Sequence, residues 1–173
     1  MLAYVYWHRS STNVNVYESA LINFHRNFDS QSIPGYLGSI VAKVEGAGWL
    51  SEGDCYEDWY LLENSGVLDL INEAAVSDRM REIHDSVASI SVDGKGGLYG
   101  LLRGNHGLLS AHCYWFFKPR GMKYSHFYSK LTVTQLWRRM LAMGPTPEFC
   151  AMGEEVEGAS KVKRNVIYNG AKV

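Results

Sequence analysis

The sequence has few cysteines and no excess of either charge. Three widely spaced cysteines occur among its 173 residues: Cys55, Cys113 and Cys150. An odd number without close pairs argues against a disulfide framework and predicts buried apolar side chains in a reducing cytoplasm. Lys and Arg number 17 and Asp and Glu number 18, so the net charge predicts no binding to nucleic acid or to an anionic membrane.

Long apolar runs and cofactor motifs are also missing. No run approaches the ~20 apolar residues of a membrane span, and His8 and Arg9 interrupt the only early one, so no signal peptide is predicted. No His, Cys and carboxylate residues recur at metal-ligand spacing, so no metal site is predicted. The segments "GAG" and "GKGGLYG" precede strands, as turns do and nucleotide-binding loops do not. We therefore expect a protein without a cofactor.

Aromatic residues are abundant instead. They make up 13% of the chain, within a hydrophobic content of 46%, which is enough for a substantial core. Aromatic side chains in such numbers often line a flat apolar cavity. The composition therefore predicts a folded protein with a pocket for a small apolar or aromatic ligand.

Residues 1–105 show the order strand, helix, strand, strand, helix, strand. Alternation and β-forming residues predict four strands: "LAYVYWHR", "YLGSIVAKV", "CYEDWYLLE" and "GGLYGLLRG". Apolar residues three or four positions apart predict a helix from about Val16 to Phe28, capped by "SSTN". A second helical segment begins near Leu68, and a break near Ser77 could divide it in two. This order is that of a ferredoxin-like βαββαβ unit, an α+β fold.

Residues 106–173 repeat part of this order. "SAHCYWFFKP" predicts a strand, the spacing from Tyr124 to Met143 predicts a helix, and "EFCAMGEEV" with "KVKRNVIYNG" predicts a hairpin. "FHRNF" lies as far before Pro34 as "WRRML" lies before Pro147. We therefore predict a tandem repeat with a partial second ferredoxin-like unit (βαββ) packed on the first. The alternative is a single α+β domain with a C-terminal extension.

These strands, together with "FKPRGMKYSHFYSKL" and "INEAAVSDRMREIHDSVA", resemble the dimeric α+β barrel superfamily. The superfamily includes the EthD-like, stress-responsive and antibiotic-biosynthesis monooxygenase families, and the resemblance is to uncharacterised members. It implies that the open sheet face packs on a second sheet, usually from a partner chain, to form a barrel. We therefore expect a homodimer. Because related barrels include haem binders, ligation of haem by a single histidine stays open.

Alternation divides the first strand into an apolar face and a mixed face. The two faces are Ala3, Val5, Trp7 and Tyr4, Tyr6, His8. The apolar face suits the covering helices, and the mixed face suits the space that the barrel encloses. In that space His8 could act as a general base, while Tyr4 and Tyr6 orient a phenolic or carbonyl substrate. The alternative is that the tyrosines only pack and His8 caps the strand end.

The third strand places Asp58 and Tyr60 on one face. If that face lines the cavity, Asp58 is a buried carboxylate that needs a partner, and His8 is the candidate. Otherwise Asp58 lies at a solvated sheet edge. In the later strand, His112 and Tyr114 share the mixed face and are candidates for substrate binding.

Two further histidines lie in predicted helices. His84 is near the buried side of the second helix and is either a core histidine or a pocket-lining base. It does not form a catalytic pair with Asp85, because adjacent helical residues diverge by ~100°. His25 falls on the polar face of the first helix, where we expect it to be solvated.

Two functions of different classes follow. The first is a cofactor-independent small-molecule enzyme of the oxygenase, isomerase, cyclase or dehydratase type. In it His8 is the base, Asp58 tunes His8, and the tyrosines orient an aromatic substrate inside the barrel. The second is a non-catalytic ligand-binding or stress-response barrel, in which the same residues form the core and interface. A filled barrel lumen would contradict the enzyme in this form.

Overall fold

A computed structural model of the chain describes residues 1–105 and 110–172. In chain order the elements are β1 (Leu2–Ser10), α1 (Val14–Asp29), β2 (Tyr36–Glu45), β3 (Cys55–Leu62), α2 (Val67–Ala75), α3 (Arg81–Ala88), β4 (Ser91–Arg103), β5 (His112–Phe116), α4 (Tyr124–Lys130), β6 (Gln135–Met143), β7 (Phe149–Met152) and β8 (Ser160–Asn169).

The eight strands form one closed barrel. Their order around it is β1-β3-β2-β8-β5-β7-β6-β4, and every adjacent pair is antiparallel. Strands β1 to β4 are neighbours on one side, and β5 to β8 complete the circle. The boundary predicted at residue 105 falls between β4 and β5.

Most local predictions in the first half are confirmed. All four strands form, and α1 begins where the cap was predicted, with the Asn13 side chain accepting a hydrogen bond from the backbone N–H of Asn15. The predicted break near Ser77 separates α2 from α3. Short-range patterns were sufficient here because alternation, capping residues and helical spacing all agree.

The predicted helix from Tyr124 to Met143 is wrong beyond Lys130. There α4 ends, and Gln135–Met143 forms the strand β6 between β4 and β7. The β-branched run from Thr132 to Thr134 disfavours a continuing helix. In the extended chain Leu136 packs outside the barrel and Trp137 inside it, a strand pattern that short windows confuse with helical spacing.

This extra strand overturns the predicted fold class. The barrel closes within one chain, so the described residues form an eight-stranded antiparallel barrel with four short helices and not a ferredoxin-like unit with a partial second unit in a dimeric α+β barrel. The open sheet face from which a homodimer was predicted does not exist. The tandem repeat is also wrong, because "FHRNF" lies in α1 and "WRRML" lies in β6. The predicted hairpin is wrong as well, since β5 lies between β7 and β8.

The barrel lumen is filled by side chains. All eight strands contribute to one core, whose largest members are Trp7, Trp59, Trp115, Trp137 and Tyr99. Their rings meet mostly edge to face, with the Trp7 and Trp115 centroids 5.1 Å apart and those of Trp59 and Trp137 5.5 Å apart. An eight-stranded barrel is just wide enough for side chains to fill it.

One ion pair lies inside this aromatic core. The Arg164 Nε donates to Glu57 Oε1 at 2.5 Å, and the indole N–H groups of Trp7 and Trp59 donate to the two Glu57 oxygens. A charge buried so deeply is tolerated only when it is paired and hydrogen-bonded. Both carboxylate oxygens of Glu57 therefore already accept hydrogen bonds inside the lumen and are not available to a ligand.

The prediction of which face of β1 points into the barrel was inverted. Ala3, Val5 and Trp7 point into the lumen, and Tyr4 packs outside with the helices. Alternation separates two faces but does not say which is concave. Because the barrel closes within one chain, the apolar face of β1 is the face that fills the lumen. The mixed face, and the pocket with it, therefore lies outside the barrel under α1, α2 and α3, and the prediction of a substrate inside the barrel is wrong.

Among the described residues, no helix is both long and apolar enough to cross a membrane.

We predict that the indole cluster stabilises the barrel far more than exposed rings do. Trp115→Ala removes a ring that is 1% exposed and contacts four other aromatic rings, and is expected to lower the free energy of unfolding by about 3–5 kcal/mol. Phe117→Ala, at a ring that is 61% exposed, should change it by about 0.5 kcal/mol or less. Chemical denaturation measures both, and equal effects would contradict a filled lumen.

Candidate functional site

A cavity of about 290 Å³ lies between the outer face of the barrel and the helices α1, α2 and α3. The barrel side of its wall carries the rings of Tyr4, Tyr6 and Tyr60. The helix side is largely apolar, with Phe24 from α1 and Ile71 from α2 among its residues. Its volume is at the small end of the usual range for ligand pockets, about 300–1,000 Å³. The space suits one small, flat molecule.

Strand pairing brings the polar groups of this wall together. In the register of β1 and β3, Tyr6 lies opposite Asp58 and Tyr4 lies opposite Tyr60. His8 follows Tyr6 on the same face of β1, since alternate residues of a strand share a face. The ring centroids of Tyr6 and His8 are 5.4 Å apart, and those of Tyr4 and Tyr60 are 6.0 Å apart. The result is a sheet of rings with Asp58 beside it.

The glycines of β4 make room for these rings. Gly96 lies opposite Tyr6 on the strand next to β1. A Cβ placed on Gly96 would lie 2.8 Å from the hydroxyl oxygen of Tyr4 and 3.1 Å from its ring. The absence of a side chain at Gly96 therefore lets the Tyr4 ring lie flat against the sheet instead of standing in the cavity.

Three tyrosine hydroxyls at the cavity are available to a ligand. Among the described residues, no hydrogen bond uses the hydroxyl of Tyr4, Tyr6 or Tyr60. Burial and the negative charges of Tyr6 and Asp58 raise the pKa of Tyr4 to about 12, and burial together with Asp58 raises the pKa of Tyr6. Both hydroxyls therefore stay protonated at neutral pH and can donate to an oxygen of a bound molecule.

The Asp58 carboxylate is buried between two histidines. Its Oδ2 lies 3.0 Å from His8 Nε2 and 3.2 Å from His25 Nε2. Burial alone would raise the pKa of Asp58, but the nearby imidazoles of His8 and His25 outweigh burial and hold that pKa well below its ordinary value. Asp58 is therefore an anion in contact with both imidazoles.

This pairing leaves one oxygen of Asp58 unused. Neither imidazole N–H points straight at Oδ2, so the contacts are ion-pair contacts more than linear hydrogen bonds. Asp58 Oδ1 is buried and has no hydrogen-bond donor among the described residues. A buried acceptor without a donor is costly, and this one belongs to a residue of the cavity wall.

His25 is held by a second carboxylate on its other side. Its Nδ1 lies 2.8 Å from Ser39 Oγ, which lies 3.0 Å from both oxygens of Asp29. The hydroxyls of Tyr36 and Tyr168 also donate to Asp29. With the single Ser39 hydroxyl hydrogen given to Asp29, the hydrogen between Ser39 and His25 comes from His25 Nδ1.

The same counting applies to the Nε2 of His25. An ionised Asp58 only accepts, so the hydrogen in that contact also belongs to His25. In this arrangement of hydrogens both ring nitrogens of His25 face acceptors, Ser39 Oγ and Asp58 Oδ2. The prediction that His25 lies on a solvated face is wrong, since it is fully buried. His25 follows Leu21 by one helical turn, and this placement on the apolar stripe was the signal in the sequence.

His8 has a different environment. Its Nδ1 lies 2.5 Å from the hydroxyl oxygen of Tyr17, and that oxygen lies 2.7 Å from Ser91 Oγ. Tyr17 is fully buried, whereas Ser91 is part of the cavity wall. Because a hydroxyl both donates and accepts, His8 can be neutral or protonated within these contacts. Sequence reasoning missed Tyr17, which meets His8 only in the folded chain, and Ser91, which meets Tyr17.

His84 lies at the cavity on the helix side. Its Nδ1 is 3.1 Å from Asp85 Oδ1, and the ring is partly exposed. The two side chains are in contact although adjacent helical residues diverge, and the prediction that they form no catalytic pair stays a prediction. The pair is solvated, so its interaction is weak.

The structure therefore separates the predicted site residues into two groups. One group lines a single cavity: His8, Asp58, Tyr4, Tyr6, Tyr60 and His84. The other does not reach it: His112 and Tyr114 lie on β5, and Tyr114 packs with Phe127 of α4 in a separate apolar cluster. Among the described residues, no group of three or more His, Cys, Asp or Glu side chains is placed to hold a metal ion.

We predict that Asp58→Asn destabilises the protein in a pH-dependent way. The folded-state pKa of Asp58 lies below its unfolded value, so its stabilisation is complete above about pH 4 and is lost as the pH falls further. Removing one charge of a buried ion pair typically costs about 3–5 kcal/mol. Denaturation between acidic and neutral pH should show a deficit at pH 7 that shrinks in acid.

The matched control is Asp69→Asn, at an exposed position in the first turn of α2. It should change the free energy of unfolding by about 1 kcal/mol at most. A deficit for Asp58→Asn that is as small as this, or that does not change with pH, would refute an ionised Asp58.

We also predict that Gly96→Ala narrows the cavity. The new methyl group must displace the Tyr4 ring, so affinity for a small aromatic probe such as 2-naphthol should fall about tenfold, the effect of about 1.4 kcal/mol. Gly48→Ala adds a methyl group with no atom within 4 Å and should leave affinity unchanged. Calorimetric titration measures the affinity of both variants for 2-naphthol. Equal affinities would show that the probe binds outside this cavity.

Comparison with known proteins adds a likeness in fold. No family model matches the chain, and no curated protein sequence matches it. A solved structure, described as a crystal structure study of an anthrone oxidase-like protein, is similar with a TM-score of 0.53. The similarity covers 94% of this chain and 72% of that chain, at 9% sequence identity. At this identity the chain shares a fold with that protein.

Proposed function

We propose that the protein is a cofactor-independent enzyme that moves a proton of a small aromatic substrate. The observation that carries the proposal is the buried His8–Asp58–His25 cluster at the wall of an aromatic cavity. Networks that perturb the charge of buried groups cluster at functional sites.

The cavity suits a neutral, flat substrate. Its wall combines tyrosine and phenylalanine rings with aliphatic side chains, and no Lys or Arg belongs to the described part of it. A carboxylate or phosphate group would therefore meet the Asp58 anion with no cation of that kind to bind it. A phenol or an aromatic ketone would instead find the hydroxyls of Tyr4, Tyr6 and Tyr60 as hydrogen-bond donors.

His8 is the base in this proposal. A neutral imidazole accepts a proton near neutral pH, and the Asp58 anion 3.0 Å away stabilises the imidazolium that forms. Tyrosine hydroxyls that stay protonated can stabilise the phenolate or enolate left behind. His25, already charged, keeps Asp58 ionised so that Asp58 does not take the proton itself.

Deprotonation is the first step shared by the oxygenase, isomerase, cyclase and dehydratase types that the sequence suggested. The similarly folded protein is described as anthrone oxidase-like, which makes an anthrone a suitable test substrate. Loss of its C–H proton leaves a carbanion that dioxygen can oxidise: one oxygen atom enters the new carbonyl, and the other leaves as water. The resemblance to the EthD-like and related families stays a prediction.

A binding protein without catalysis is the second candidate. One observation favours it: both ring nitrogens of His8 already have partners, Tyr17 and Asp58. In such a protein the ion cluster would only shape the pocket. Catalytic turnover of a bound substrate distinguishes the enzyme from the binding protein.

We predict that the protein catalyses exchange of the acidic C–H protons of 2-tetralone, an enolisable aromatic ketone, for deuterium in D2O. Proton NMR follows the exchange. A positioned general base typically contributes about 10²–10⁴-fold, so His8→Gln should lower the catalysed rate by about 100-fold or more.

His126→Gln is the matched control, because His126 is exposed on α4, away from the cavity. It should exchange the ketone protons at the wild-type rate. Binding of 2-tetralone without any catalysed exchange by the wild-type protein would refute the enzyme and leave the binding protein.

A further inference from the structure

We infer that Ser91 and Tyr17 form the proton relay that connects the cavity to His8. The inference rests on the proposed function and adds two residues to it. Ser91 is the member that touches substrate, and Tyr17 is buried between Ser91 and the base.

A relay is needed because His8 has no free nitrogen at the cavity. Its Nε2 faces Asp58 at 3.0 Å, and its Nδ1 faces the Tyr17 hydroxyl at 2.5 Å. The His8 ring is part of the cavity wall, yet a substrate proton cannot reach either nitrogen without displacing one of these partners. The route through Tyr17 uses a contact that already exists.

Ser91 completes that route. Its Oγ lies 2.7 Å from the Tyr17 hydroxyl oxygen and 2.9 Å from the carbonyl oxygen of Val87, the residue one helical turn before it. Ser91 is half-buried and belongs to the cavity wall, while Tyr17 is fully buried. The chain of atoms from the cavity to the imidazole is therefore Ser91 Oγ, Tyr17 Oη and His8 Nδ1.

The hydrogens of this chain have two complete arrangements. When His8 is neutral, Tyr17 donates to His8 Nδ1 and Ser91 donates to Tyr17. When His8 is protonated, its Nδ1–H donates to Tyr17, Tyr17 donates to Ser91, and Ser91 donates to the Val87 carbonyl. In both arrangements His8 Nε2–H faces Asp58, and every hydroxyl hydrogen has an acceptor.

Passage from the first arrangement to the second moves one proton from the substrate to His8. The substrate C–H or O–H bond breaks, and its proton bonds to Ser91 Oγ. The Ser91 hydrogen passes to Tyr17, and the Tyr17 hydrogen passes to His8 Nδ1. The electron pair stays on the substrate as an enolate or phenolate. Burial keeps the pKa of Tyr17 raised, so Tyr17 remains a neutral hydroxyl before and after the transfer.

The test is 2-tetralone exchange in D2O with variants that remove one hydroxyl each. Tyr17→Phe and Ser91→Ala should each lower kcat for exchange by about 100-fold, the size expected for a lost proton-transfer path. KM should stay within about threefold, which is under 1 kcal/mol, because the ring contacts of the cavity are kept. Ser91→Thr restores a hydroxyl and should recover exchange to within about tenfold of wild type.

The outcomes separate this inference from the proposed function. Loss of exchange in His8→Gln with wild-type kcat in Tyr17→Phe or Ser91→Ala would overturn the relay and leave His8 as the base. Loss of exchange in His84→Gln alone would overturn the relay by assigning the base to His84. A wild-type protein that binds 2-tetralone and exchanges nothing would overturn the enzyme and the relay together. Equal losses in kcat for His8→Gln, Tyr17→Phe and Ser91→Ala, with rescue by Ser91→Thr, would support it.

Discussion

The candidate site depends on one buried carboxylate shared by two histidines. Asp58 is buried, and it stays charged because His8 and His25 lie within 3.0 and 3.2 Å of the same oxygen. Each partner is fixed by a further group: His25 through Ser39 and Asp29, and His8 through the Tyr17 hydroxyl. The two histidines therefore have different tasks. His25 faces an acceptor at each ring nitrogen and in the proposed function stays charged, whereas His8 gains and loses a proton.

The barrel explains why this cluster lies where it does. Indole and phenol rings fill the lumen, and the charges of Glu57 and Arg164 pair with each other inside it. The cavity lies on the convex side instead, where α1, α2 and α3 lie over β1 and β3. The first strand serves both purposes at once. Trp7 is part of the lumen core, and its neighbour His8 is part of the site on the opposite face.

The sequence predicted the local elements well and their closure poorly. Capping at Asn13, alternation in β1 and β3, and the break near Ser77 are short-range signals, and the structure has all of them. The strand β6 was missed because the prediction extended the helical spacing of Tyr124 to Leu131 as far as Trp137 and Met140. From that error followed the open sheet, the partner chain and the inverted faces. The pairing of His8 with Asp58 was nevertheless accessible, because it needs only the faces of two strands. His25, Tyr17 and Ser91 reach the site only when α1 and α3 pack on the barrel. No single segment of the sequence specifies that packing.

The positions of the hydrogens in this cluster test the account most directly. Neutron diffraction from deuterium-exchanged crystals at neutral pH would locate them on Asp58, His25 and Ser39. The account predicts deuterium on both ring nitrogens of His25, none on Asp58, and the Ser39 hydroxyl directed at Asp29. A deuterium on either oxygen of Asp58, or a bare Nδ1 on His25, would contradict the charged cluster on which the proposed chemistry depends.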